Sequence, residues 1–377
     1  MMTRLSGVSI AVLALATLTL AVPALCAPVL QQMAQSGATE LVIYTGSSQA
    51  VVRQQSAVRL GEGANTVGFE WATDKLDATS IRLYGGEALT IGEVSRPAGQ
   101  ARTLQWSVVA PQAGNYALTT SFLLSGLKWS ADYRLVRSPQ WPVAMLSGWV
   151  TVTNESGLDL QNLRASLVLG RPGGAAGVEQ AVFPIPELRE LPKGASVRAV
   201  FMRPIELPVW TIHRIDAEAA PERVAKLLEV QPPAEGALAR TSLPSGPMSV
   251  LDPDGIVRTT LSYEPGESFE VALGNERDVT VKRRLLERKK SNLQFDRVGQ
   301  VSGLDTTERY EVEVRSHLTE GIEVEMLETV LATWEINTGT PYVLEDGTAQ
   351  LRLGLPARGE STVEFTIIKH SGTRIPK

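Results

Sequence analysis

The strongest constraint on this chain is a short-range alternation of apolar and polar residues that recurs along most of its length. "YALTTSFLL" (116–124), "GWVTVTN" (148–154), "LRASLVLG" (163–170), "RYEVEVRSH" (309–317) and "STVEFTII" (361–368) carry an apolar side chain at every second position. That period belongs to a strand with one buried face and not to a helix. "ELVIY" (40–44), "AVVRQQSAVRL" (50–60), "NTVGFEW" (65–71) and "SIRLYGG" (80–86) are further β-branched or aromatic runs bounded by turn residues. The Asp254-Gly255 and Asp346-Gly347 pairs predict tight hairpins. One helix is predicted, over "PERVAKLLEV" (221–230), from Pro221 near its start and the spacing of Val224, Leu227 and Leu228. Five segments, at 60–69, 110–122, 191–201, 263–274 and 355–365, share a plan of Gly-containing turn followed by strand. They are too irregular for a solenoid or propeller and fit antiparallel sandwiches. The expected class is all-β: two or three sandwich-like modules in series, with little helix, after a cleavable signal peptide.

That signal peptide is read from Arg4 and the uncharged run "VSIAVLALATLTLAV" (8–22), too short for a bilayer span and followed by "VPALCAP". Pro28 disfavours cleavage after Ala27, so residues 1–26 are assigned to the signal and cleavage is placed after Cys26 or Ala24. The alternatives are an uncleaved anchor and a lipid anchor on Cys26, the latter disfavoured by Leu25 standing where lipoprotein signals carry a small residue. Cys26 is the single cysteine, so the mature chain is expected to hold no disulfide and to rely on its cores. No later stretch is apolar for long enough to cross a membrane as a helix. The expected location is periplasmic or elsewhere in the cell envelope. A formal charge of −5 with interspersed signs argues against nucleic acid as a partner. The expected division is an N-terminal β module at 27–100, a central β domain at 101–290 and an immunoglobulin-like sandwich at 291–377.

In "SGLKWSADYRLV" (125–136) Leu127, Trp129, Ala131, Tyr133 and Leu135 share one strand face, with Lys128, Ser130, Asp132 and Arg134 on the other. Aromatics flanked by leucines predict a buried face and not a sugar-stacking platform, whose aromatics need polar neighbours on the same side. This segment, with "LSGWVTVTNESGLDLQNLRASLVLG" (146–170), "TSLPSGPMSVLDPDG" (241–255), "YEPGESFEVALGNERDVTV" (263–281), "TWEINTG" (333–339) and "LPARGESTVEFTI" (355–367), resembles the family known as domain of unknown function 4139. That family includes exported proteins called mucoidy inhibitor A. The matching signature positions are Trp129, Asp132, Tyr133, Gly148, Trp149, Asn154 and Gly157. The resemblance covers nearly the whole mature chain and implies export and β-sandwich modules, with no established catalytic residues. Many relatives carry a coiled coil before the Trp strand; 86–110 has no heptads, so this is a short form without that arm. Where many relatives have Asp-Trp after the turn, this chain has Asp159-Leu160.

The sequence offers little chemistry. His213, His317 and His370 are far apart and lack metal-ligand spacing, so each reads as a surface or strand residue, and no metal or other cofactor is expected. "LDPDG" (251–255) lacks the later ligands of a calcium loop. There is no Gly-x-Ser-x-Gly elbow and no Ser-x-x-Lys ahead of a helix. Carboxylate pairs leave no mark in sequence, since a glycosidase declares them only by spatial separation. The chain is therefore expected to be non-catalytic and to act through an envelope protein or glycan. The alternatives are an envelope polysaccharide or peptidoglycan hydrolase, or a carbohydrate-binding module. Candidate contacts are Trp141 in "SPQWPV" and Trp210 in "LPVWTIH", with Lys282, Arg283 and Arg284 of the basic run "VKRRLLERKKSN" (281–292). That run reads first as a charged edge strand that discourages edge-to-edge pairing, and otherwise as a contact for anionic glycans or lipid head groups.

Overall fold

The computed structural model describes residues 30–33, 37–138, 142–171, 181–236 and 238–375. Among them, helix is limited to one 3-10 turn, Ala78–Ser80. In chain order the strands are β1 (Leu30–Gln32), β2 (Thr39–Tyr44), β3 (Gln49–Leu60), β4 (Gly63–Glu70), β5 (Arg82–Tyr84), β6 (Thr90–Ser95), β7 (Thr103–Ala110) and β8 (Gly114–Ser125). They continue with β9 (Leu127–Arg137), β10 (Val143–Asn154), β11 (Leu163–Val168), β12 (Val182–Ile185), β13 (Ser196–Asp216), β14 (Ala225–Val230), β15 (Leu243–Asp252) and β16 (Gly255–Tyr263). The last are β17 (Phe269–Asn275), β18 (Val279–Phe295), β19 (Val301–Ser316), β20 (Ile322–Thr329), β21 (Trp334–Thr338), β22 (Tyr342–Glu345), β23 (Thr348–Leu355) and β24 (Glu360–Gly372). The chain is all-β, in several mainly antiparallel sheets, as the alternation predicts. The five turn-plus-strand segments lead into β4, β8, β13, β17 and β24.

Two compact units are formed, and the chain passes between them inside strands at Gln54/Gln55 in β3, Arg82/Leu83 in β5 and Thr120/Ser121 in β8. The smaller unit holds Gln55–Trp71, Leu83–Thr120 and the described residues before Gly37. Its sheet runs β1-β4-β7-β6, with β1 parallel to β4 and the other pairs antiparallel. Val67, Trp106 and Val108 are buried there, and Phe69 stacks on Trp71 at 6.2 Å.

The larger unit carries the rest. Its longest sheet runs β16-β15-β9-β10-β13-β20-β23-β22, with β14 and β17 branching from β13. Strand β13 serves three partners: Ser196–Pro208 pairs with β10, Val209–Arg214 with β14 and His213–Asp216 with β20. A second sheet runs β18-β19-β24-β21. Between it and β20–β23 lies a core of aliphatic side chains with Phe365, including Val312, Val314, Val324, Met326 and Leu351. Burying such side chains contributes about 1.5–3 kcal/mol each.

The residues of "SGLKWSADYRLV" pack. Leu127, Ala131, Tyr133 and Leu135 are buried and Trp129 is half-buried, while Lys128, Ser130 and Arg134 are exposed. The Tyr133 hydroxyl donates to the Pro244 carbonyl at 2.5 Å, and burial pushes its pKa well above the usual phenol value. Opposite, Asp132 pairs with Arg198, whose guanidinium lies 4.4 Å from the Trp149 ring centroid. Gly148 sits at a register shift in β10, where an added Cβ would come within 2.8 Å of the Phe201 ring. Asn154 is fully buried: its amide donates to the Leu158 and Leu191 carbonyls at 2.8 Å each, and its oxygen accepts from the Ser156 N–H and hydroxyl. Gly157 completes that turn with φ +85°, a left-handed conformation that glycine adopts without strain.

Two local expectations are corrected. Residues 225–230 are strand, not helix: Leu228 and Val230 are buried together with Val224 just before them, at even spacing, and β14 is sandwiched between β13 and β17. The β15–β16 hairpin turns on Pro253-Asp254, because Asp252 already pairs with Gly255. Asp346-Gly347 takes the expected positive φ angles, 46° and 77°, between β22 and β23.

Candidate functional site

In the larger unit, six separate segments bring polar side chains to one cleft. Along β13, Thr211 and His213 share a side with buried Val209 and Ile215, whereas Trp210, Ile212 and Arg214 point the other way. Lys226 of β14 is the direct cross-strand partner of His213, and on its other side it faces Gly274 of β17, which adds no side chain. Just past β17, the Glu276 N–H donates to the Val224 carbonyl at 2.8 Å and holds that corner in place. The β15–β16 hairpin contributes Asp252 and Asp254, the end of β9 contributes Arg137, and Glu320 lies ahead of β20.

These groups line two hollows of about 540 and 400 Å³ that share Lys226 and Glu276. The first lies along Asp252, Asp254, Asn275 and Asp278, and the second along Arg137, Thr211, His213 and Glu320. The Lys226 ammonium is 2.5 Å from Asp254 and 4.0 Å from Glu276, and Arg137 is 2.8 Å from a buried Asp252 oxygen. The Lys226 hydrogen bond holds the Asp254 carboxyl below the usual carboxylate range. Burial pushes the His213 imidazole pKa down, against the opposing pull of Glu276 at 3.6 Å, so the ring is neutral at neutral pH. The cleft thus offers ionised acceptors, fixed cations and one neutral imidazole within a few ångströms, an arrangement suited to a ligand rich in hydroxyl groups.

The reverse side of the same strands carries a different surface. Trp210 is 43% exposed there. Its cross-strand partner is Glu229, which in turn pairs with Glu270 of β17, so these side chains share one face. Gln231 donates to Glu229 at 2.7 Å, and Arg214 grips Glu270 through two hydrogen bonds of 2.6 and 2.7 Å. Trp210 is therefore an exposed indole rimmed by polar groups.

The other candidate contacts are placed as follows. Trp141 lies outside the described residues, as do the signal segment and Cys26. The basic run is part of β18, at the edge of its sheet. Lys282 is exposed. Arg283 turns inward to the Glu328 carboxylate at 2.5 Å and over the Tyr310 ring at 4.3 Å. Arg284 is exposed and pairs with Glu311 and Glu313. The sequence reading missed the cleft: Arg137, His213, Lys226, Asp252, Asp254 and Glu276 come from distant segments, and no spacing between them repeats. The one local signal was a lysine at an inward-facing strand position, where an apolar residue is expected. Compared with known protein families the chain matches none, and it matches no curated protein.

Proposed function

We propose that this chain is an exported, non-catalytic protein of the cell envelope that acts by contact, and that the Trp210 face is its glycan-binding surface. One observation carries the reading: Trp210 stands exposed on a sheet face with Glu229, Gln231, Glu270 and Arg214 around it. An indole face accepts the apolar side of a sugar ring while neighbouring carboxylates and amides take its hydroxyls. The apolar run at 8–22 followed by small residues supports export. The resemblance to the family of domain of unknown function 4139 supports the same placement.

A second reading, an envelope polysaccharide hydrolase, is favoured by Asp252, Asp254, Glu276 and Asp278 converging on one cleft. Against it, Lys226 keeps Asp254 ionised and Arg137 holds Asp252 in a buried pair, so neither is set up as a proton donor. The test is to incubate the purified protein with peptidoglycan and exopolysaccharide, measuring bound protein and newly released reducing ends together. Saturable binding without release supports the proposal. Release that disappears in Glu276→Gln or Asp254→Asn overturns it in favour of the hydrolase.

A further inference from the structure

The β18–β19 hairpin carries a feature that the glycan face leaves unused. Its turn, Asp296–Gln300, is tightly built: the Asp296 carboxylate accepts from the N–H groups of Val298 and Gln300 at 2.9 Å each, and the Asp296 N–H donates to the Gln300 carbonyl at 2.8 Å. Gly299 allows the tight return with φ +81°. This frame fixes Val298 at the apex, 79% exposed, beside Phe295 at 61%, with Leu293 and Val301 also exposed. A turn facing only water gains nothing from four exposed large apolar side chains.

The charges around this tip are sorted. The acidic side chains of the hairpin nearest its tip, Asp296, Asp305 and Glu308, are used internally, and the exposed Glu287 lies farther back along β18 than Lys289. Asp305 accepts from Arg374, Asn292 and His370, while Glu308 is held by Arg288 and Lys369. Asp296 serves the turn itself. Lys289, Lys290 and Arg297 are exposed, and among the described residues none of them is in an ion pair. A rigid apolar tip with Arg297 in its turn and the unneutralised Lys289 and Lys290 set back along β18 matches a lipid interface with anionic head groups, where the tip enters the acyl boundary and the cations meet phosphate. The same cations disfavour a second copy of this strand at the open edge of β18, since two such edges would bring like charges together.

We infer that the tip of the β18–β19 hairpin docks on an anionic phospholipid surface through Phe295 and Val298, with Lys289, Lys290 and Arg297 contacting the head groups. The inference is independent of the glycan reading, because it concerns a different sheet and needs no sugar. The test uses the protein as exported, with its signal removed, carrying Val298→Cys and, where Cys26 is retained, Cys26→Ser, so that a polarity-sensitive fluorophore reports from the tip alone. The expected result is a blue shift on adding vesicles of phosphatidylglycerol and phosphatidylcholine, with none for phosphatidylcholine alone. In the Lys289→Gln/Lys290→Gln chain the vesicle concentration needed should rise about tenfold, and binding should weaken with added salt. A label placed instead at exposed Glu62 controls for adsorption elsewhere and should not shift. No shift at the tip with anionic vesicles, or a shift equal to that at position 62, overturns the inference. So does a tip that shifts only with an added protein.

Discussion

Replacing Asn154 with alanine should be among the most damaging single changes in the larger unit. The side chain is fully buried and makes four hydrogen bonds, donating to the Leu158 and Leu191 carbonyls and accepting from the Ser156 backbone and hydroxyl. Alanine leaves two carbonyls, an N–H and a hydroxyl without this partner, and Ser156 is itself fully buried. A buried polar group stripped of its partner costs about 1–3 kcal/mol. The Ser156 hydroxyl still accepts from the Leu158 N–H and the Leu191 carbonyl keeps the Leu160 N–H, and relaxation of the turn recovers part of the rest. The expected loss is therefore about 3–5 kcal/mol, within the tail that buried-network mutations occupy. Urea unfolding followed by circular dichroism gives the magnitude. Hydrogen exchange places it, with protection lost first at 154–160 and 191–195, where the Asn154 N–H and carbonyl pair with Ala195 and Gly194. A loss under about 1 kcal/mol would refute the reasoning, since it would mean that water already serves these groups.

Two further perturbations follow from other sites. Gly148→Ala forces a methyl group against the Phe201 ring and Met202 Cβ, so thermal denaturation should show a loss of about 1–3 kcal/mol. His370 is bonded to Asp305, which raises its pKa above 6.5, with Glu335 adding to the effect and Arg374 and Asn292 sharing the same carboxylate. Its contribution is fully present below pH 6.5 and fades as pH climbs through the raised value. Asp305, held below 3.8 mainly by Arg374, contributes above its unfolded value and loses that only on strong acidification. His370→Gln should therefore flatten the fall in melting temperature that the parent shows as pH rises above 6.5 through the raised value.

The strands were legible because their alternation is local: "GWVTVTN" and "STVEFTII" predict β10 and β24 from their own residues. The reading of 221–230 as helix failed for an instructive reason. Val224, Leu228 and Val230 follow a period of two, but Lys226 occupies the inward position between them because it faces His213 and Asp254 in the cleft. With that position polar, Val224, Leu227 and Leu228 imitate helical spacing. The residue that broke the pattern is one of the two that the hollows share. Trp210 was picked out as a Pro-flanked indole, yet its polar rim depends on Glu229 and Glu270, whose strands β14 and β17 pair only in the fold. The inward turn of Arg283 likewise needs Glu328, which comes from β20.

The claim that this protein works by glycan contact at the β13–β14–β17 face is tested most directly by Trp210→Ala. The indole is 43% exposed and lies outside the buried core, so the variant should stay folded with a melting temperature close to the parent's. Titration calorimetry against the envelope polysaccharide that the parent binds should then show affinity at least tenfold weaker, about 1.4 kcal/mol. An unchanged affinity in a folded Trp210→Ala protein would contradict the account and move the binding surface elsewhere.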